Sequence, residues 1–266
     1  MSKHGTCCIC GKQSKLSFEH TPPQKAFNFF RSQEFQALPL LTEGKYFKKG
    51  KLKQKGVGNY SLCSSCNNIT GHLYGEEYKK WTMILSNNMK RGNLSDNRMF
   101  GKPKPIEIIL QDVHPLRFFK QVIAIFCSRN GNNFQLAHPD LKDYLLQKDS
   151  QNFPFDFSVY MYLTTELILF NSGIVGLWEN GGFYLLSEFI HYPFGFCLFI
   201  GNVLKLPITD ITYFNQYTYN EKTDIHIEIP IINRKIPHPA DYRTEYEVSY
   251  DAIINQLKFK FPSIKK

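Results

Sequence analysis

The sequence has no long hydrophobic run. Its longest apolar stretch, around Phe194 to Leu204, contains glycine and asparagine and falls well short of the roughly 20 residues that cross a bilayer. The N-terminus lacks the apolar segment of a secretory signal, and the cysteines lack the dense, even spacing of a secreted disulfide scaffold. We therefore expect no membrane span and a folded protein in a reducing, cytoplasmic setting.

Acidic residues are scarce in the first part of the chain. Residues 1–104 contain 18 lysines and arginines against 6 acidic residues, whereas residues 105–266 contain 14 against 17. The overall net charge of +9 therefore comes from the first part alone. A domain that binds a polyanion concentrates its positive charge on the surface that meets phosphate. The asymmetry predicts nucleic acid as a partner of residues 1–104.

Residues 105–266 lack a glycine-rich phosphate loop, a catalytic triad and a metal-ligand spacing. Their apolar residues nevertheless predict a second α+β domain, in which helices are followed by an antiparallel sheet with Asn-Gly and Tyr-Pro turns. The predicted helices are Leu116–Cys127, Asp140–Lys148 and a closing helix over Tyr246–Leu257. The predicted strands are Ile106–Leu110, Ser158–Phe170, Gly173–Trp178, Gly182–Ile190, Phe196–Val203 and Ile225–Ile232. We expect this domain to sense a ligand, bind a partner protein or form a homodimer.

Four of the seven cysteines form two Cys-x-x-Cys pairs, Cys7 with Cys10 and Cys63 with Cys66. A two-residue gap lets two thiolates from one tight turn reach a single tetrahedral metal ion. Gly11 follows the first pair and permits such a turn. Cys8 is the alternative to Cys7, although the two-residue gap favours Cys7. The pattern predicts a structural zinc ion held by four sulfurs.

A short strand ending at Glu19-His20 lies between the two cysteine pairs. Leu16–His20 alternates apolar and polar residues and is stopped by two prolines, so Glu19 and His20 should point to opposite faces. Gly58–Cys63 is predicted to be a strand, and apolar spacing predicts a helix from Asn67 to about Met89. The remaining predictions are a lysine-rich hairpin or loop over residues 45–55 and a linker over residues 92–105.

The two cysteine pairs, Glu19-His20 followed by proline, and Asn67 directly after the second pair resemble the HNH endonuclease family, also called the His-Me finger nucleases. The resemblance covers roughly residues 5–80. In that family a β-hairpin and a helix, often stapled by a four-cysteine zinc, hold one divalent cation against the scissile phosphate. The resemblance implies a zinc-stapled ββα domain, treble-clef-like, over residues 1–104.

The resemblance also implies roles for single residues. Glu19 would be a ligand of the catalytic ion, His20 the general base, and Asn67 the last ligand, on the helix. Asn59 would orient the base, although the family's middle asparagine usually lies one residue earlier, where this chain has Gly58. His72 is an alternative to Asn67. Oxygen ligands suit Mg²⁺ or Mn²⁺, and an imidazole can accept a proton near neutral pH.

Together these features predict a metal-dependent endonuclease that hydrolyses phosphodiester bonds in DNA, with RNA not excluded. The basic surface and the lysine-rich segment would bind the phosphate backbone with little base specificity. By analogy with the family, we expect a role in bacterial or phage defence. The alternative is a non-catalytic zinc-knuckle module that binds nucleic acid or protein and uses Glu19-His20 only structurally.

Overall fold

The chain folds into two compact units, Met1–Arg31 with Gln54–Arg234 and Ser32–Lys53 with Lys235–Lys266. The structure is a computed structural model. It describes residues 3–29, 32–34, 51–91, 105–167, 169–179 and 181–233.

Twelve strands lie in the described residues, and all the sheets they form are antiparallel. They are β1 (Lys3–Thr6), β2 (Gln13–His20), β3 (Ser32–Glu34), β4 (Lys51–Lys53), β5 (Gly58–Cys63), β6 (Pro105–Val113), β7 (Phe157–Leu163), β8 (Leu169–Glu179), β9 (Gly182–His191), β10 (Phe194–Ile200), β11 (Thr209–Asp210) and β12 (Thr223–Pro230). The first unit contains a three-stranded sheet in the order β1-β2-β5, a five-stranded sheet in the order β11-β7-β10-β9-β8, and the pair β12-β6.

The described helices are few. They are α1 (Ser64–Arg91), α2 (Pro115–Asn130), α3 (Asn132–Ala137), α4 (Asp140–Leu146) and a 3-10 helix (Thr212–Gln216). Among these helices, none combines the length and the apolar character that crossing a membrane requires.

The second unit is described only at β3 and β4, which pair with each other. Strand β4 covers residues 51–53 of the lysine-rich segment 45–55, so these three residues form one strand of a two-stranded pair. Residues 45–50 lie outside the described residues.

The α+β class with antiparallel sheets is confirmed. The strand predicted over Ser158–Phe170 ends at Leu163, and Leu169 and Phe170 begin strand β8 instead. The other strands predicted after residue 105 are present with shifted ends, and the helix predicted from Asn67 begins three residues earlier, at Ser64. Helix α3 and the 3-10 helix were not predicted, because six and five residues are too few to show a periodic apolar pattern. The predicted linker over residues 92–105 lies outside the described residues except for Pro105, which begins strand β6, and the closing helix over 246–257 lies outside them entirely.

Helix α2 is the centre of the first unit. Pro115 begins the helix at a position where a backbone N–H would have no partner within the helix, so the N–H that proline lacks is not missed. Gly131, with φ of +81°, follows the last residue of the helix. Between them the helix is buried on all sides. On one side the ring of Phe118 stacks on Trp81 of helix α1, with ring centroids 4.0 Å apart. On another side Phe118 meets Phe194 of strand β10. Residues on both sides of position 104 thus share one core.

Lys120 of helix α2 is fully buried, and its ammonium group caps helix α4. Its Nζ donates to the carbonyl oxygens of Tyr144, Gln147 and Lys148 at 2.8, 2.8 and 3.0 Å. The last carbonyls of a helix have no partner within the helix, and a cation at this end also opposes the helix dipole. The three hydrogen bonds therefore tie helix α4 to the centre of the core.

Replacing Lys120 should destabilise the protein. Lys120→Met keeps the length of the side chain but leaves three carbonyl oxygens without their donor, so we expect a loss of about 3 kcal/mol in the free energy of unfolding. Urea unfolding followed by circular dichroism measures the change. Lys142→Met, at a partly exposed position of helix α4, is the matched control and should change stability by less than about 0.5 kcal/mol. Equal effects of the two variants would contradict the capping role.

Candidate metal centre and active site

Four sulfur atoms converge where strands β1, β2 and β5 meet helix α1. Cys7 and Cys10 lie in the turn between β1 and β2, Cys63 ends β5, and Cys66 lies in the first turn of α1. Their Sγ atoms all lie within 4.8 Å of one another, and those of Cys10 and Cys63 are 3.9 Å apart. Zinc bonded tetrahedrally to sulfur at about 2.3 Å holds its ligands about 3.8 Å apart. The four cysteines therefore lie close enough together to hold a zinc ion.

The turn that carries Cys7 and Cys10 has a backbone conformation that lets both sulfurs reach one point. Gly11 has φ of +70°, which glycine adopts without strain, and its N–H donates to the carbonyl oxygen of Cys7 at 2.9 Å. A hydrogen bond from the Cys66 thiol lowers the pKa of Cys7 below its ordinary value, which favours the thiolate that a metal needs. Cys8 lies outside the cluster, and burial raises the pKa of its thiol to about 12. The geometry thus selects Cys7 over Cys8.

His20 is the last residue of strand β2, and its ring is held by a backbone carbonyl. Its Nε2 lies 3.1 Å from the carbonyl oxygen of Lys55. A carbonyl only accepts hydrogen bonds, so Nε2 carries a proton and, in the neutral ring, Nδ1 carries the lone pair. The ring of Phe18 meets the imidazole edge to face, with centroids 5.0 Å apart. This arrangement makes Nδ1 the nitrogen able to accept a proton.

Asn28 stabilises the loop that contains the Lys55 carbonyl group. Its buried amide donates to the carbonyl oxygens of Pro22 and Val57, each at 2.7 Å, and accepts from the N–H of Val57 at 2.7 Å. These bonds join the chain just after His20 to the chain just after Lys55. No motif or periodicity marks Asn28, because its partners are backbone groups that only the fold brings together.

Glu19 faces away from His20 into the protein, in agreement with the predicted alternation. It is 7% exposed, and its Oε2 accepts hydrogen bonds from Ser61 at 2.9 Å and Ser128 at 3.0 Å. Burial raises the pKa of Glu19 to about 7, although both serine hydroxyls and the charge of Arg129 oppose the rise. The carboxyl group is therefore part of a buried network.

Ser128 and Arg129 of helix α2 complete the hydrogen-bond network around Glu19. The Ser128 hydroxyl also lies 3.4 Å from Oδ1 of Asn59, whose amide lies 3.5 Å from the Ser128 carbonyl oxygen. The next residue, Arg129, donates to the carbonyl oxygen of Thr21. Asn59 therefore contacts Ser128, and His20 is oriented by Lys55 instead. Sequence reasoning missed Ser61, Ser128 and Arg129, since serines and a helix-end arginine have no distinctive spacing.

Asn67 is the fourth residue of helix α1 and touches strand β2. Its Nδ2 donates to Ser17 Oγ at 3.0 Å and to the carbonyl oxygen of Phe18 at 3.4 Å. Within the described part of the chain, Oδ1 has no hydrogen-bond partner, so it remains available as a ligand. His72 is exposed five residues later, which at 3.6 residues per turn is about 140° around the helix. His72 therefore lies on a different face from Asn67.

Comparison with protein-family models, curated proteins and solved structures finds no match to this chain.

The four-cysteine cluster predicts the metal content of the purified protein. We expect about one zinc ion per chain by mass spectrometry of the metal, and loss of most of it in Cys63→Ser. Cys8→Ser is the matched control, because Cys8 neighbours the cluster without belonging to it, and it should retain zinc. Replacement of zinc by Co²⁺ should also produce sulfur-to-cobalt charge-transfer absorption in the control but not in Cys63→Ser. Equal zinc content in the two variants would contradict the assignment.

Burial of Glu19 predicts a pH-dependent effect of Glu19→Gln. The pKa of Glu19 rises from 4.5 to about 7 on folding, so its contribution to stability is present below pH 4.5 and lost as the pH rises through 7. The neutral glutamine avoids this loss. The stability of Glu19→Gln relative to wild type should therefore increase by up to about 3 kcal/mol between pH 5 and pH 8.

Urea unfolding at the two pH values, with the same zinc concentration throughout, measures this difference. Glu228→Gln changes an exposed glutamate on strand β12 and is the matched control. It should show no comparable pH dependence. A relative stability of Glu19→Gln that is constant or falls with pH would contradict the effect of burial.

Proposed function

We propose that this protein is a metal-dependent endonuclease of the HNH type that hydrolyses phosphodiester bonds in nucleic acid, with DNA as the expected substrate. The observation that carries the proposal is the antiparallel pair β2 and β5 followed directly by helix α1. His20 ends the first strand, Asn67 lies at the start of the helix, and four cysteines join the same three elements. An antiparallel strand pair followed by a helix, with four cysteines close enough to hold zinc, supports the zinc-stapled ββα domain that the sequence motifs imply.

His20 is suited to act as the general base. A phosphodiester resists attack because water is a poor nucleophile, so a base must remove a proton from the attacking water. Nδ1 can accept that proton, while the Nε2–H bond to the Lys55 carbonyl stabilises the imidazolium that forms. The bond also fixes the ring orientation. A bound Mg²⁺ or Mn²⁺ would neutralise charge that builds on the phosphate and the leaving oxygen.

Asn67 is the best-supported protein ligand for that ion. Its Nδ2 is held by strand β2, which fixes the orientation of the amide and leaves Oδ1 as the free oxygen. Glu19 was expected to share this role, but a carboxylate held by Ser61 and Ser128 would have to leave both serines to reach an ion on the His20 face. We therefore propose that Glu19 positions strand β2.

The same burial of Glu19 supports a second candidate function, a zinc-stabilised module that binds nucleic acid without cutting it. Its basis is that the part of the chain the structure describes brings no exposed carboxylate into contact with His20 or Asn67. Its zinc would stabilise the fold and its basic residues would bind phosphate. The two functions differ in one measurable property, which is hydrolysis.

Nicking of supercoiled plasmid with added Mg²⁺ or Mn²⁺ tests the proposal. We expect cleavage by the wild type, and a rate lower by about 100-fold to 10,000-fold in His20→Ala because the base is lost. His4→Ala changes an exposed histidine on strand β1 and is the matched control, which should cleave at the wild-type rate. Activity that survives unchanged in His20→Ala would overturn the nuclease proposal in favour of the binding module.

The same assay determines whether Asn67 or His72 is the ligand of the divalent ion. Asn67→Ala should require a higher Mg²⁺ concentration for half-maximal cleavage, whereas His72→Ala should not. The opposite result would assign the ligand role to His72.

A further inference from the structure

Two large aromatic side chains lie exposed beside His20. Phe18 on strand β2 is paired directly with Tyr60 on strand β5, and their side chains are 42% and 38% exposed. Their ring centroids are 5.4 Å apart, and Phe18 lies 5.0 Å from the imidazole of His20. Because side chains alternate along a strand, Phe18 and His20 share one face of the sheet. We call Phe18 and Tyr60 the aromatic platform.

Gly58 makes room for the platform next to His20. It pairs with His20 across the strands, and a Cβ at this position would lie 2.9 Å from the tip of the Phe18 ring and 2.0 Å from the Glu19 carbonyl oxygen. The Phe18 ring can therefore lean over the glycine toward the histidine. Any larger residue here would push the ring away. The asparagine expected in this position by the family pattern would not fit.

The platform rings meet their neighbours edge to face. The planes of Phe18 and Tyr60 are inclined by 71°, and those of Phe18 and His20 by 87°. Among the described residues, no aromatic ring stacks in parallel on either platform ring. A planar group could therefore stack against them without displacing a stacked ring.

Positive charge surrounds the platform. The ammonium group of Lys3 lies over one face of the Tyr60 ring, 4.9 Å from its centre, so a planar group would stack on the other face or displace this lysine. Lys12, Lys15 and Lys55 are exposed on the same strands or the adjoining turns. A negatively charged backbone that carried planar groups would meet both the lysines and the rings. Nucleic acid has this chemistry.

We propose that the aromatic platform binds unpaired bases, so that the substrate is single-stranded nucleic acid or an unpaired segment within a duplex. This inference rests on the proposed nuclease function. In a duplex the faces of the bases are covered by their neighbours, and only the backbone and the base edges are accessible. A single strand exposes base faces, and each base stacked on an aromatic side chain contributes about 1–3 kcal/mol to binding. Base stacking on the platform thus places a phosphate of the nucleic-acid strand near His20.

Binding of fluorescent oligonucleotides, measured by anisotropy without added divalent ion so that no cleavage occurs, tests the proposal. The probes are single-stranded DNA and single-stranded RNA of matched sequence, the same DNA as a duplex, and an abasic single strand of equal length. Phe18→Ala and Tyr60→Ala should each weaken single-strand binding by about 5-fold to 150-fold. Their binding to the duplex and to the abasic strand should change by less than about 2-fold.

Matched variants distinguish the loss of base stacking from a general effect of the substitution on the fold. Phe18→Leu keeps an apolar side chain but has no aromatic face, so it should bind single strands as weakly as Phe18→Ala. Phe18→Trp should bind them at least as tightly as the wild type. Phe155→Ala removes a fully exposed phenylalanine outside the platform and should have no effect.

The outcomes distinguish this inference from the nuclease proposal. Unchanged single-strand binding in Phe18→Ala and Tyr60→Ala, or equal losses with all probes, would overturn the platform even if the protein cleaves DNA. Platform-dependent binding without cleavage would support the platform and would assign it to the binding module. Equal losses on DNA and RNA would show that the platform recognises bases without regard to the sugar.

Discussion

The convergence of four cysteine sulfurs is the constraint on which the candidate site depends. The turn before strand β2 carries Cys7 and Cys10 and lies close to the junction of β5 and helix α1, where Cys63 and Cys66 lie, so a metal ion bound by the four sulfurs would join the two. Within this closed frame, strand β2 has one register against β5, and that register sets which residues face outward. A metal bound by four sulfurs can contribute a large part of the folding free energy of a small domain. Loss of the sulfur cluster should therefore disturb the position of His20 even though no cysteine touches it.

The position of strand β2 is also supported by residues of helix α2. Ser128 and Arg129, in the last turn of helix α2, reach across to Glu19 and Thr21, and helix α2 is itself buried in the main core. A buried carboxyl group is costly unless it is hydrogen-bonded, and the two serines reduce this cost. The network therefore couples the position of strand β2 to the packing of residues beyond 105. Ser128 and Arg129, which lie beyond residue 105, therefore have a structural role at the candidate site.

Local patterns in the sequence were enough to predict the strand at Glu19-His20, the strand Gly58–Cys63, the long helix after it and the closeness of the four cysteines. Each depends on neighbours within a few residues or on a fixed metal-ligand spacing. Asn28, Ser61 and Ser128 could not be predicted, because apart from the Pro22 carbonyl their partners lie 29 to 109 positions away, and some of these partners are backbone groups. The HNH assignment itself stays a prediction, supported by the arrangement of these elements.

Alternation along strand β2 explains why Glu19 lies in the buried network while the adjacent His20 faces outward. Successive side chains of a strand point to opposite faces, so an outward His20 requires an inward Glu19. The outward face is then shared by His20, Phe18 and, across the pair, Tyr60. Under the proposed nuclease function, an ion bound there would take its ligands from Asn67, water and the oxygens of the substrate itself. A site with so few protein ligands would bind its ion weakly before substrate arrives, and substrate binding on the aromatic face would then complete it.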